Sequence, residues 1–272
     1  MSTAGPSLVD VLVEQLEDLP ASRAAALLVV RTIEDEGAGA AQVAAAVAGD
    51  AALTARLIRL ANSVYYGLSG RVRTPVFAVT VVGFDTVRSL AAVSAAGFAD
   101  PGSLPPGFWE RSAQVAAGGM LVARRVGAPA PEAFCVGLLH DLGSALLRQH
   151  DPERHDLVLE VAAGREELLL HREALEYGGT HADLGAQVLA SWHLPPDLCA
   201  AIAAHHAEPA RSSPPVLRAL QAGLALSDLV QGGLPEQAAP ALAAADVPPD
   251  EVAVLLQQVR EAGSALAAAF GS

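Results

Sequence analysis

Apolar side chains recur at spacings of three and four along most of this chain, the period of a helix face rather than the alternation of a strand. Leu53, Leu57, Leu60 and Val64 form one such stripe, and Asp50 stands before it as an N-cap. Thr74 followed by Pro75 opens the next, with Val76, Val79 and Val82 behind and Gly83 as the stop. Asp85 begins another through Val87, Leu90 and Val93. Earlier helices are expected over 8–17, 21–36 and 40–48. Later ones are expected over 108–126, 131–147, 153–163, 165–176, 180–193, 196–207, 214–231 and 249–269. No run of strict alternation is long enough to argue for a strand, so the expected fold class is all-α. Pro and Gly crowd the stretch Asp100-Pro101-Gly102-Ser103-Leu104-Pro105-Pro106-Gly107. Such punctuation predicts a junction between two helical lobes of one continuous module, 8–100 and 105–272.

Some polar residues interrupt the stripes. In the 131–147 helix Asp141 shares a face with Phe134 and Leu138, while Leu139 and Leu142 make the rest apolar too. His140-Asp141 is thus an ionisable pair in a core helix, and a buried carboxylate must be paired, hydrogen-bonded or metal-bound. His181 lies in line with Leu184, Gly185, Val188 and Trp192, behind Thr180 as N-cap. His205 and His206 fall at the centre and edge of the Leu198–Ile202 stripe, and Asp228 continues that of Leu217, Leu220 and Leu224. One inward histidine is more often a hydrogen-bonded core residue than a ligand. A set of imidazoles and carboxylates converging from four helices suits a divalent Fe, Mn or Zn ion, and a bridging carboxylate suits a pair of ions that activate water and clamp a phosphoryl group. His150, His155, His171 and His193 lie in polar or stripe-edge contexts and are expected at the surface.

Composition narrows the partners. The chain has 272 residues, 52% hydrophobic and only 4% aromatic, which favours close-packed helices over sheets. Its net charge of −13 is a poor match to a phosphate backbone, so no nucleic-acid partner is expected. Every basic residue is Arg and none Lys, as a high-GC bacterial genome would give. Cys135 and Cys199 sit in apolar helical patterns and form no CxxC pair, which points to buried thiols. No uncharged run reaches the ~18 residues of a membrane helix, and no basic-then-apolar leader opens the chain. A cytoplasmic location without membrane contact is expected.

The motifs together resemble a known family. Gly137-Leu138-Leu139-His140-Asp141-Leu142-Gly143 is similar to the signature of the HD superfamily of metal-dependent phosphohydrolases. Thr180-His181-Ala182-Asp183-Leu184-Gly185, Trp192-His193-Leu194-Pro195 and His205-His206 resemble later segments of HDOD domains. So do Asp50-Ala51-Ala52-Leu53-Thr54-Ala55-Arg56-Leu57 running into Asn62-Ser63, the segment Arg73 to Gly83, and Phe108-Trp109-Glu110-Arg111-Ser112. The resemblance implies a helical N-terminal lobe and an HD-like helical bundle after it. Related HD-GYP phosphodiesterases hold two metals against cyclic di-GMP. Their ligand pattern maps onto His140, Asp141, His181, His205, His206 and Asp228, whereas Arg111 stands where they carry a first His. A guanidinium has no lone pair to give a metal, but it can pair with Asp141 or Asp228.

Three readings follow. The first is a non-catalytic signal-transduction module that binds a signalling protein, or a nucleotide, and needs no cofactor. The second is a metal-dependent phosphohydrolase with an altered site holding Fe, Mn or Zn. The third is a cluster that hydrogen-bonds within the core. Asn62 and Ser63 are read first as helix-ending turn chemistry, and Tyr65-Tyr66 as either core edge or partner surface. Asn62, Ser63, Tyr65 and Tyr66 are therefore candidate partner residues.

Overall fold

A computed structural model describes residues 21–35, 37–68, 70–96, 104–105, 107–192 and 194–270, with residue 11. The all-α expectation holds, with no strand among the described residues. Most of the helix expected over 8–17, and most of the proposed junction at 100–107, lie outside them.

The first helices are α1 (Ala21–Glu34), α2 (Ala40–Val47), α3 (Ala51–Ala61), α4 (Pro75–Val82) and α5 (Phe84–Ala95). Asp50 does cap α3, accepting from the backbone N–H of Ala52 and Leu53 at 2.9 and 3.0 Å. Its other oxygen accepts from Ser94 Oγ on α5, so the cap also ties two helices together. Thr74 caps α4 and Pro75 opens it. The chain bends by 112° between α4 and α5. Gly83 makes that bend at φ 81°, a conformation open to glycine without Cβ strain. No single helix among the described residues is long and apolar enough to cross a membrane.

Then come α6 (Phe108–Val126), α7 (Ala130–Leu139), α8 (Leu142–His150), α9 (Pro152–Ala162), α10 (Glu166–Tyr177), α11 (His181–Ser191), α12 (Pro196–Ala203), α13 (Pro215–Val230), α14 (Pro235–Ala244) and α15 (Val252–Phe270). α6 is the central strut, with α7, α13 and α15 packed around it. Its buried Ala113, Ala116 and Ala117 let those helices approach closely. α5 packs on α7, and α15 returns to touch α3. One buried apolar cluster accordingly runs from Ala26 to Leu266.

The structure corrects four details. The helix expected over 131–147 is two, α7 and α8, broken at His140-Asp141. The helix expected over 196–207 stops at Ala203, leaving His205-His206 on the turn beyond it. α14 is an addition, falling between the helices expected over 214–231 and 249–269; its Pro235 sits in the first turn, where no N–H bond is needed. Burial of Ala238, Ala241 and Leu242 offsets the bond lost at Pro240. Lastly, His155 is wholly buried instead of at the surface, with its Nε2 3.1 Å from Ser144 Oγ.

Candidate functional site

The break between α7 and α8 sets the site. The apolar run around His140-Asp141 buries both helices, while the break turns the two polar side chains toward α11 and the turn after α12. Gly143, two residues on, lies against the backbone of α11, and a Cβ there would run into the His181 carbonyl. Glycine thus lets the start of α11 sit directly on the start of α8.

His181 opens α11 behind the Thr180 cap. His205 and His206 follow α12. These three offer ligand atoms within 4.8 Å of one another. His181 Nε2 is 2.8 Å from His206 Nε2 and 3.6 Å from Asp141 Oδ1. His140 Nε2 is 3.2 Å from Asp141 Oδ2, and the His140 and His205 rings stand edge to face at 5.5 Å. His140, Asp141, His181, His205 and His206 therefore form one cluster. Asp228, near the end of α13, joins it through Arg111 of α6. Arg111 Nη1 donates to Asp228 Oδ1 at 2.6 Å, and its Nε lies 3.7 Å from Asp141 Oδ2.

The outer nitrogens show how the rings are held. His140 Nδ1 lies 2.8 Å from the Gly137 carbonyl, and His205 Nδ1 lies 2.6 Å from that of Ile202. A carbonyl only accepts, so both rings carry their proton on Nδ1. His181 Nδ1 meets Glu173 Oε2 at 2.7 Å, and His206 Nδ1 meets Glu166 Oε1 at 2.9 Å. All four imidazoles are thus anchored on the outside and turn Nε2 inward. Such outer-carbonyl or outer-carboxylate anchoring is what orients histidines toward a metal. Two neutral rings protonated on Nδ1 would set lone pair against lone pair at the 2.8 Å His181–His206 contact. The cluster therefore calls for a cation, either a proton or a metal. The buried Nε2 of His205 makes no hydrogen bond among the described residues, and that of His140 faces Asp141 Oδ2 at 3.2 Å. The donor set accordingly fits a divalent ion.

Electrostatics agrees. Burial alone would raise the Asp141 pKa, but the charge and hydrogen bond of His140, then His181 and Arg111, hold it well below the usual carboxylate range. Burial pulls His181 down, but the bond and charge of Glu173 and the charge of Asp141 outweigh it and raise its pKa. His205, with burial and then three neighbouring histidines against it, is pushed well below its ordinary value. Arg111 keeps its charge: burial opposes it, but Asp141 and Asp228 raise its pKa.

The anchoring carboxylates were not singled out from sequence. Glu173 is wholly buried, and its Oε2 also accepts from the His181 backbone N–H at 2.9 Å. Its signal was an acid between Leu169 and Tyr177 on one stripe, at i and i+4 spacing. Glu166 is exposed in the first turn of α10 and carries no such signal. A cleft of about 670 Å³ opens beside the cluster, with Arg111, Asp141 and Ser144 on one side and Arg260 on another. The candidate partner residues lie elsewhere. Asn62 Nδ2 donates to the Ile58 and Val72 carbonyls at 3.1 and 2.7 Å, and Asn62 Oδ1 accepts from Val72 N–H at 2.9 Å. It thereby closes the loop carrying Ser63, exposed Tyr65 and half-buried Tyr66, whose rings meet edge to face at 4.9 Å.

Comparisons with known proteins point the same way. The chain has a TM-score of 0.71 to a candidate phosphohydrolase from Shewanella amazonensis SB2B, at 25% identity over 96% of this chain and 98% of that one. It shares the fold of a candidate signal transduction protein from Marinobacter aquaeolei VT8, with TM-score 0.72 and 24% identity over 95% of this chain and 61% of that one. An HDOD domain protein of unknown function from Geobacter sulfurreducens has the same fold, with TM-score 0.66 and 22% identity over 97% of each chain. A protein of Treponema pallidum (strain Nichols) is 24% identical over 76% of this chain, which spans only 41% of that relative's length. The HDOD domain profile matches residues 19–208, which include His140, Asp141, His181, His205 and His206. On these grounds the chain belongs to the HDOD domain family.

Proposed function

We propose that this chain is a regulatory signal-transduction module that acts by binding a partner rather than by turning over a phosphoester. The observation that carries this reading is the place of Arg111, hydrogen-bonded to Asp228 at 2.6 Å and 3.7 Å from Asp141. A two-metal phosphohydrolase needs those carboxylates for cations. Here a fixed guanidinium serves them, and it repels a second ion by Coulomb forces that a partly buried site screens little. The four inward Nε2 atoms support room for one divalent ion, held by His181, His205 and His206 with His140 and Asp141 beside them. Such an ion, when bound, would polarise an oxygen of an anion in the cleft. Glu173 and Glu166 keep the rings pointed inward, and Arg111 fixes Asp141 and Asp228.

The inward Nε2 atoms also favour a second reading, a metal-dependent phosphohydrolase working with one altered position. Assays of the purified protein supplied with Mn or Fe, on a generic phosphodiester and on cyclic di-GMP, separate the two. The regulatory reading expects no turnover above background. Robust hydrolysis, lost in Asp141→Ala, would establish the enzyme instead.

A further inference from the structure

Two surfaces far apart in sequence carry opposite charge around exposed apolar side chains. Residues 63–84 hold Arg71 and Arg73 and no carboxylate, although the whole chain has 30 acidic residues against 17 basic. Both arginines are exposed, and no carboxylate pairs with either among the described residues. Just beyond them α4 presents Val76 and Phe77, 45% and 44% exposed, while Ala78, Val79 and Val82 anchor its other face in the core. Asn62 clamps Val72 from both sides, so Arg71 and Arg73 flank a fixed point rather than a free loop.

The α9–α10 hairpin is the counterpart. Residues 152–177 hold seven carboxylates and three arginines. Glu173 is buried, and Asp156, Glu166 and Glu176 pair with Arg148, His206 and Arg154, so the acidic rim is Glu153, Glu160 and Glu167. On α9, Glu153, Leu157, Glu160 and Val161 share one helix face and are all exposed, while His155, Val158 and Ala162 are buried on the other. Leu157 is 58% exposed, and Leu175 on α10 is 65% exposed. An apolar centre with a charged rim is the composition of a protein interface, and opposite rims steer two surfaces together.

We propose that copies of this chain associate head to tail, with the Arg71–Phe77 segment of one seated on the α9–α10 hairpin of the next. The two surfaces differ, so the contact is heterologous and each copy keeps one of each for further neighbours. The contact would press on the outer side of α10, whose Glu173 and Glu166 hold His181 and His206. Assembly and the His cluster would then share one helix.

Sedimentation velocity across the micromolar range, at low and high salt, tests this on the full chain. Association that grows with concentration and weakens with salt is expected. Two variants remove one surface each: Arg73→Ser with Phe77→Ser, and Leu157→Ser with Leu175→Ser. Each should be monomeric alone with an unchanged circular dichroism spectrum. Mixed together, they retain one intact surface apiece and should form 1:1 dimers and nothing larger. A wild-type chain monomeric throughout, an assembly that either variant leaves intact, or a mixture that stays monomeric would each overturn the proposal. So would loss of helical signal by both variants alongside wild-type association indifferent to salt.

Discussion

At the scale of single residues, the His cluster is built from outside inward. Glu173 is the clearest case, because one buried oxygen serves both the backbone and the ring of His181. Glu173→Ala leaves those donors unpaired and is expected to cost about 1–3 kcal/mol. Glu173→Gln keeps an accepting oxygen and should cost less, and urea denaturation of the two variants compares them directly. Equal loss in both would mean that charge, rather than hydrogen bonding, carries the contact. Tyr177, two turns along from Leu169 on the same stripe, shows why Glu173 escaped notice: an acid on α10 looks like surface until the buried ring it serves is seen. Asp141 and the four clustered histidines were legible because each sat on an apolar stripe where a polar residue needs a reason.

His155 supplies the pH test. Burial lowers its pKa, with like charge from Arg148 and His181 adding to the effect and Glu173 opposing it. The native ring thus resists protonation, while the unfolded chain takes up a proton near the ordinary histidine value of about 6.5. Protons then favour the unfolded state, so stability is lost as pH falls through and below that value. His155→Gln should flatten the decline in unfolding free energy between about pH 7 and pH 5. An unchanged slope would show that the ring takes up its proton as readily in the folded protein as in the unfolded chain.

At the scale of elements, helix starts were the most legible feature. Asp50, Thr74 and Thr180 each accept backbone bonds as cap residues should. Asp50→Ala should lower stability by about 1 kcal/mol in thermal or chemical unfolding, typical of a lost N-cap. A loss well above that would assign extra weight to the Ser94 bond that links α3 to α5. Helix ends and breaks were less legible. Nothing in the run from Phe134 to Leu147 marks a break, because the segment is apolar on both sides of His140-Asp141; packing against α11 decides it. Gly143 is the residue that permits that packing. Gly143→Ala forces a methyl group against the His181 carbonyl and is expected to cost about 1–3 kcal/mol, as overpacking does. Unfolding measurements showing no loss would mean that α8 and α11 can move apart freely.

At the scale of the molecule, α6 joins fold to site. It carries Arg111 near its start, and its buried Gln114 accepts from Ser227 Oγ and Gln231 Nε2 on and beyond α13. The helix thereby holds Arg111 beside Asp228, which lies on the same stretch of α13. The Arg111–Asp228 pairing was foreseeable from residue chemistry, but which of two acids it would favour was not, since that depends on how α6 and α13 cross. The shorter bond goes to Asp228 and the longer contact to Asp141. The central claim is that this guanidinium stands in for a cation. Its most direct test is metal content, measured by elemental analysis after loading with Mn or Fe and removal of free ion, for the wild type and Arg111→His. The account predicts at most one ion per wild-type chain and one more in the variant. Two ions in the wild type, or no gain in a folded Arg111→His protein, would contradict it.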